Sequence, residues 1–175
     1  MRETFTDFSP DSELGRLLSG VKLLSLDVDG VLTDGGLYYA EDGGIQRKFN
    51  VRDGVGIVRL REVGIPVTII SAGASGSIPS RAETLGIPHV FTAVADKLAT
   101  LRTLCSELGV ELSEVAHIGD DINDVPLMAE IGLPISVADA SPEAREAARI
   151  VTTNGGGKGA VREVCDALIR LRGNA

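Results

Sequence analysis

Two carboxylates, Asp27 and Asp29, stand at the end of an apolar run, residues 23–26, that has the character of a buried strand. Residues two apart on a strand point the same way, so two negative charges are held close together. Such a pair is stable when a cation lies between the groups or when one of them stays protonated. The arrangement is typical of the start of a metal-assisted phosphoryl-transfer site.

Further polar residues follow the other predicted strands in the same way. Ser71 ends the second apolar run, Lys97 opens the helix after the third, and the acidic segment Gly119-Asp120-Asp121-Ile122-Asn123-Asp124 follows the fourth. Because the carboxyl ends of parallel strands lie along one edge of a sheet, we expect these groups to meet there. Each residue alone has a simpler explanation, since loop aspartates and serines often form turns or helix caps. Capping hardly accounts for all four groups in this order.

Each residue type has a role in phosphoryl transfer. The transition state spreads negative charge over the peripheral oxygens of the phosphoryl group, so positioning and positive charge do most of the work. A carboxylate can be the nucleophile and form an aspartyl phosphate. Gathered carboxylates bind Mg²⁺, while a lysine, a hydroxyl and free backbone N–H groups stabilise the phosphoryl oxygens.

Apolar, strand-like runs alternate with amphipathic, helix-like segments along the chain, with short connections between them. This alternation predicts an α/β fold, a Rossmann-like doubly wound and mostly parallel sheet, in a single domain over residues 1–175. Glycines after three helix-like segments, Gly86, Gly109 and Gly132, are expected to close them in a left-handed conformation. The predicted strands are 22–28, 66–71, 89–91, 115–118, 134–137 and 150–152, and the predicted helices are 54–63, 77–85, 97–108, 122–129, 142–148 and 160–171, with a short helix from Asp11 before them.

One inserted segment, about residues 35–50, interrupts this alternation. Two short extended runs flank an acidic Gly-Gly turn at 41–44, which predicts a β-hairpin just after the first strand. A lone hairpin is marginal in water, so its Tyr38, Tyr39 and Phe49 need a partner surface. Packing on the same domain is one explanation. We favour docking against another subunit, because an exposed apolar ribbon usually marks an interface.

The composition excludes several classes of function. Aromatic residues make up 3% of the 175 residues and the net charge is −8, which argues against a nucleic-acid partner. No apolar run approaches the roughly 20 residues of a membrane span, and the N-terminus lacks the apolar stretch of a signal peptide. We therefore expect a cytoplasmic protein without a membrane partner.

The motifs resemble those of the haloacid dehalogenase superfamily of phosphohydrolases, visible as Asp27-Val28-Asp29-Gly30-Val31, Ser71, Lys97 and the segment 119–124. The sequence is more similar still to the small capless branch, the 3-deoxy-D-manno-octulosonate 8-phosphate phosphatases. Two further segments carry that resemblance: Phe49-Asn50-Val51-Arg52-Asp53-Gly54 after the hairpin, and Gly156-Gly157-Lys158-Gly159-Ala160-Val161-Arg162-Glu163 near the C-terminus.

The resemblance implies a Mg²⁺-dependent phosphatase that hydrolyses a sugar phosphate through an aspartyl phosphate. Asp27 would be the nucleophile, and Asp29 would protonate the leaving sugar alcohol and then activate water. Ser71, with the neighbouring Ala72, and Lys97 would hold the phosphoryl group.

The metal ligands implied by the resemblance are Asp27, Asp120 and the backbone carbonyl of Asp29. Asp121 and Asp124 would bind the metal through water or orient the lysine. Members of the branch are typically tetramers with the hairpin in the interface, so a homotetramer is implied.

One position departs from the branch, which usually has an arginine shortly after the hydroxyl of the second motif. Ala74 stands where we expect this arginine, and a small side chain cannot replace a guanidinium as a carboxylate clamp. Arg52, Arg81 and Lys158 are the candidates for the missing charge, with Arg52 and Lys158 predicted to bind substrate.

Three classes of function remain open on the sequence. The leading hypothesis is a phosphatase for 3-deoxy-octulosonate 8-phosphate or a related nonulosonate 9-phosphate. The alternative is a weak or inactive phosphatase-like oligomerisation module, related to domains attached to sialic-acid-activating nucleotidyltransferases. A signalling receiver domain uses similar residues, but there the lysine follows the acidic pair, whereas Lys97 precedes Asp120 and Asp121.

Overall fold

A six-stranded parallel sheet forms the centre of the molecule. The computed structural model describes residues 4–5, 7–74 and 76–172. The strands lie side by side in the order β5 (His89–Phe91), β4 (Val67–Ile70), β1 (Leu23–Leu26), β6 (Val115–Gly119), β7 (Leu133–Ser136) and β8 (Ile150–Val151), and every neighbouring pair is parallel. The chain builds outward from β1 to β4 and β5 and then returns to the other side of β1 with β6. The order of strands therefore switches at β1, which confirms the predicted doubly wound α/β sheet.

The observed elements match the predicted alternation, with shifts of one to three residues at most of their ends. The strands are β1 Leu23–Leu26, β2 Tyr38–Tyr39, β3 Ile45–Gln46, β4 Val67–Ile70, β5 His89–Phe91, β6 Val115–Gly119, β7 Leu133–Ser136 and β8 Ile150–Val151. The helices are α1 Glu13–Gly20, α2 Val51–Glu62, α3 Ser77–Thr84, α4 Lys97–Leu108, α5 Val125–Met128, α6 Pro142–Ala147 and α7 Ala160–Arg172, with a 3₁₀ turn at Leu112–Glu114.

Both faces of the sheet are covered, because successive strand residues point to opposite sides. On one face, Leu24 and Leu26 of β1 join a cluster with residues of α1, α2, α3 and α7. On the other face, Leu23 joins Leu101 and Leu104 of α4 and Leu127 of α5. A strand that is buried on both faces is largely apolar, which explains the three leucines before Asp27; Ser25 is the polar residue of β1.

Two of the three helix-closing glycines behave as predicted. Gly86 and Gly109 have φ of 66° and 65°, the left-handed conformation that closes α3 and α4. The same prediction for Gly132 is wrong, because its φ is not positive. A side chain at Gly132 would overlap the backbone carbonyl of Ser113, so close packing against the 3₁₀ turn requires glycine there.

The predicted hairpin is present as an antiparallel pair outside the main sheet. Tyr38 pairs with Gln46 and Tyr39 with Ile45. The two tyrosines are 61% and 71% exposed, so they have no covering surface within the described part of this chain. Within the same described residues, no helix is both long and apolar enough to cross a membrane.

Candidate active site

A cavity of about 420 Å³ lies at the carboxyl edge of the sheet, next to the end of β1. Six of the predicted site residues line it, although the segments that supply them are far apart in sequence. The residues that line the cavity are Asp27, Asp29, Gly35, Ser71, Ala72, Gly73, Asp120, Asp121, Ile122 and Asn123.

Lys97 lies beneath the cavity between two buried carboxylates. Its Nζ is 3.0 Å from Asp27 Oδ1 and 2.6 Å from Asp124 Oδ1, and all three side chains are at most 6% exposed. Burial alone would lower the pKa of Lys97, but the charges of Asp27 and Asp124 outweigh it and raise that pKa. The lysine is therefore a fixed positive charge directly beside Asp27.

The network continues below Asp124 through two residues that the sequence analysis missed. His117 Nε2 lies 3.1 Å from Asp124 Oδ1, and its Nδ1 lies 2.9 Å from Ser25 Oγ. A carboxylate can only accept, so Nε2 carries the proton and donates to Asp124. Both side chains point inward from strands and are fully buried. Burial opposes ionisation of Asp124, but the hydrogen bond from His117 and the charges of His117 and Lys97 dominate and lower its pKa.

Three carboxylates converge closely enough to hold one cation. One oxygen each from Asp27, Asp120 and Asp124 lies within 4.8 Å of the others. Burial and the charge of Asp27 raise the pKa of Asp120 to about 8, and burial together with Asp124 raises the pKa of Asp27. The negative charges of these carboxylates oppose one another unless a cation lies between them. Carboxylate oxygens are also the ligands that a hard divalent cation such as Mg²⁺ prefers.

The existing hydrogen bonds of Asp124 distinguish its role from that of Asp27 and Asp120. Its Oδ1 is engaged by Lys97 and His117, and its Oδ2 accepts a hydrogen bond of 3.1 Å from the backbone N–H of Asp120. Asp27 and Asp120 are thus the acids with oxygens facing the cavity. The turn after β1 keeps them close, since Gly30 has φ of 85° and any side chain there would overlap Asp120.

An arginine that the sequence analysis did not single out lies against Asp29 and Gly73, which line the cavity. Arg47, directly after β3, contacts Asp29 through two parallel bonds, Nε to Oδ1 at 2.6 Å and Nη2 to Oδ2 at 2.9 Å. Its side chain is 2% exposed, against 31% for Asp29. The hydrogen bonds to Asp29 raise the pKa of Arg47, so it is charged at any ordinary pH.

The predicted substrate cations lie in different surroundings. Arg52 and Lys158 line a second cavity, of about 430 Å³, alongside α7, and Lys158 Nζ pairs with Asp139 at 2.8 Å. Arg81 lies over the ring of Phe49 and donates to the carbonyl of Asn50. Ala74 is exposed. None of these four residues lines the carboxylate cavity, so the assignment of Arg52 and Lys158 to the substrate stays a prediction.

The two segments that carried the closer resemblance contact each other. Asp53, in the first turn of α2, accepts a hydrogen bond of 2.8 Å from the backbone N–H of Arg162 at the start of α7. Asn50 donates from Nδ2 to the carbonyl of Gly157 at 3.0 Å. Gly156 and Gly157 in turn lie against the backbone of the loop after β1. The pair of motifs therefore supports the wall of the site.

Comparison with known proteins agrees with this geometry. A model of haloacid dehalogenase-like hydrolases matches residues 81–163. The 3-deoxy-D-manno-octulosonate 8-phosphate phosphatase KdsC of Yersinia pestis is 44% identical over 151 residues, 86% of this chain and 81% of that protein. This chain belongs to that family of haloacid dehalogenase-like hydrolases. The same phosphatase of Escherichia coli K12 is 42% identical over 153 residues, covering 87% of this chain and 81% of its own length.

Solved structures of family members superpose closely on this fold. The phosphatase of Moraxella catarrhalis, crystallised with magnesium ion, phosphate ion and KDO, gives a TM-score of 0.90 at 39% identity over 93% of both chains. The cobalt-bound phosphatase of Haemophilus influenzae gives 0.86 at 38% identity over 90% of this chain and 92% of its own. The family fold and the carboxylate cavity thus occur together in this chain.

Proposed function

We propose that this protein is a Mg²⁺-dependent phosphatase that hydrolyses 3-deoxy-D-manno-octulosonate 8-phosphate to the free octulosonate and inorganic phosphate. The observation that carries the proposal is the buried pair of Asp27 and Lys97 at the base of a carboxylate-lined cavity. Relatives of 42–44% identity that bear this activity in their names support the substrate. A non-catalytic assembly module would have no use for a buried lysine between two carboxylates, which is costly to build.

Asp27 is the proposed nucleophile. Its carboxylate oxygen attacks phosphorus, and the bond from phosphorus to the sugar oxygen breaks as the aspartyl phosphate forms. Asp29 gives a proton to the leaving sugar oxygen. Asp29 then takes a proton from water, whose oxygen attacks phosphorus and releases phosphate from Asp27. Lys97 balances charge at Asp27, and Ser71 with the backbone of Ala72 receives the phosphoryl oxygens.

We assign the metal to Asp27, Asp120 and the backbone carbonyl of Asp29. Bound Mg²⁺ would supply positive charge that offsets the repulsion between these acids and the phosphate. Asp124 holds Lys97 in place, because its oxygens are already engaged below the cavity. Asp121 is exposed at the rim and would contact the metal through water.

A substrate panel tests the proposal. The wild-type protein should release phosphate from the octulosonate 8-phosphate only with Mg²⁺, and more efficiently than from nonulosonate 9-phosphates or simple sugar phosphates. Asp27→Asn should lower kcat by on the order of 10³ or more, as loss of a nucleophile does. Asp11→Asn, on an exposed loop, is the matched control. Turnover by Asp27→Asn at the wild-type rate would refute the mechanism. If the wild type releases no phosphate from any ester, the proposed function is refuted.

We also propose that the protein is a cytoplasmic homotetramer in which the hairpin contacts a neighbouring subunit. The exposed Tyr38 and Tyr39 support the interface, and two free buried cysteines, Cys105 and Cys165, suit a reducing compartment. Replacing both tyrosines by serine should shift the mass in analytical ultracentrifugation to a smaller species. Val63→Ser, at an exposed apolar site after α2, should leave the mass unchanged.

A further inference from the structure

Arg47 and Asp29 form a two-point ion pair beside the cavity. The guanidinium presents two N–H groups to the two carboxylate oxygens in the parallel geometry that such pairs favour. A third nitrogen, Nη1, lies 3.2 Å from Ser77 Oγ at the start of α3. The hairpin therefore delivers a fixed, nearly buried positive charge to the residue proposed as the acid and base of the reaction.

The room for this guanidinium exists because residue 73 has no side chain. A Cβ placed on Gly73 would lie 2.8 Å from Arg47 Nη2, 2.9 Å from Asp29 Oδ2 and 3.3 Å from Ser71 Oγ. The arginine thus occupies space beside the second motif that a larger residue at 73 would fill. Its charge reaches the cavity from the hairpin instead of from the loop after β4.

The pair in this form fixes the orientation of Asp29. Both carboxylate oxygens accept hydrogen bonds from the guanidinium, so Asp29 is held against Arg47 and cannot turn toward a substrate while the pair is intact. Some other anion has to take over the guanidinium before Asp29 can act. The proposed substrate brings one, since an octulosonate carries a carboxylate as well as its phosphate.

The other cations near the site are already engaged or lie elsewhere. Lys97 is held by two carboxylates below the cavity, and Lys158 pairs with Asp139. Arg81 is directed at Asn50. Arg47 differs from these cations in combining contact with a residue of the cavity lining, Asp29, with a planar fork that can receive a carboxylate.

We propose that Arg47 determines specificity for carboxylate-bearing substrates by partner exchange: its guanidinium holds Asp29 in the empty site and passes to the substrate carboxylate on binding. The released Asp29 carboxylate then takes a proton from solvent and gives it to the leaving sugar oxygen. This inference rests on the proposed phosphatase function. Arg47 would then have two roles. It binds the carboxylate of the sugar acid, and it holds Asp29 in place when no such substrate is bound.

The experiment compares Arg47→Met with wild type on three phosphate esters. For octulosonate 8-phosphate, kcat/KM should fall on the order of 30-fold or more, the usual effect of losing a charged two-point contact. For arabinose 5-phosphate, which has no carboxylate, kcat/KM should stay the same or rise, because Asp29 is no longer restrained. For p-nitrophenyl phosphate, whose leaving group needs little protonation, kcat should change little. Arg47→Lys should recover part of the first loss.

Lys48→Met is the matched control, because Lys48 is the adjacent hairpin cation and pairs at the surface with Asp34. It should leave all three rates at wild-type values. Thermal melting and ultracentrifugation of each variant establish that fold and assembly are intact. Equal losses on all three esters, or no loss on the octulosonate, would overturn the proposal. If the wild type itself cleaves none of the esters, the proposed function fails instead.

Discussion

At the scale of single residues, the reacting carboxylate is held by a chain of buried polar contacts that starts in the core of the sheet. Ser25 and His117 belong to neighbouring strands and fix Asp124, which fixes Lys97, which lies against Asp27. Each link satisfies a polar group that would otherwise be buried without a partner, a costly state. The network therefore fixes the lysine more rigidly than a single salt bridge would.

We expect His117→Leu to lower kcat about tenfold, because Asp124, which orients Lys97, loses its hydrogen bond from His117. The same change should lower the unfolding free energy by about 2 kcal/mol. Thr68→Val is the matched control, since it removes a part-buried side-chain hydrogen bond from β4, on the other side of β1 from His117. The control should lower stability without lowering kcat. Steady-state kinetics and chemical denaturation report the two effects. An equal loss of kcat in both variants would contradict a positioning role.

The raised pKa values of Asp27 and Asp120 predict a pH-dependent stability without metal. Between the unfolded value of 3.8 and a folded value of about 8, the folded protein binds more protons at Asp120 than the unfolded chain does. Stability should therefore fall as pH rises through this window. Asp120→Asn should flatten the slope of Tm against pH between 5 and 8.

The same groups predict the response to the cofactor. Mg²⁺ binds the ionised carboxylates, so adding it at pH 7.5 should raise Tm and release protons, as titration calorimetry in two buffers of different ionisation enthalpy would measure. Mg²⁺ should have little effect on Tm at pH 5. A Tm that rises with pH in the absence of metal would contradict the proposed crowding of acids.

At the scale of elements, α2 and α7 are tied together by a carboxylate that acts outside its own helix. Asp53 sits in the first turn of α2, yet it accepts from the start of α7. Its Oδ2 is buried without a hydrogen-bond partner within the described residues. The hydrogen bond of Asp53 forms only when α2 and α7 pack together. It also holds the start of α7 next to the loop of Gly156 and Gly157, which lies against the turn after β1.

Asp53→Ala should lower the unfolding free energy by about 1–2 kcal/mol, because the hydrogen-bond acceptor at the N-terminus of α7 is lost. Asp166→Ala is the control on α7, where the carboxylate forms exposed pairs with Arg59 and Arg162. That change should cost no more than about 0.5 kcal/mol. Urea titrations measure both values. A larger cost for the exposed pair would show that α7 is held mainly by its surface charges.

Local signals in the sequence predict most of the helices and strands. They do not predict the contacts between side chains that are far apart in the sequence. Helix α4 has its predicted bounds because Asp96 caps its start and Gly109 closes its end. Helix α5 starts three residues later than predicted, because Asp124 turns inward to Lys97 and Pro126 allows a helix only from that point. The pair of Arg47 and Asp29 spans 18 residues and depends on how the hairpin folds back.

At the scale of the whole molecule, we propose that residues 1–175 form one domain. Apolar residues from α1, the sheet and α7 share a single cluster, so the two ends of the chain depend on each other. Unfolding should therefore be cooperative, with far-UV circular dichroism and the hydrodynamic radius changing at the same urea concentration. Two separated transitions would indicate independent units.

The hairpin has two faces with different consequences. Its tyrosines point away from the chain, while Arg47 at its base reaches Asp29. In the proposed tetramer, the subunit that covers the tyrosines would also restrain Arg47 at the base of the hairpin. Dilution that separates the proposed subunits should loosen Arg47, so the ratio of octulosonate to arabinose phosphate turnover should fall as the protein concentration is lowered. Substrate selectivity would then be a property of the assembly and not of the isolated chain.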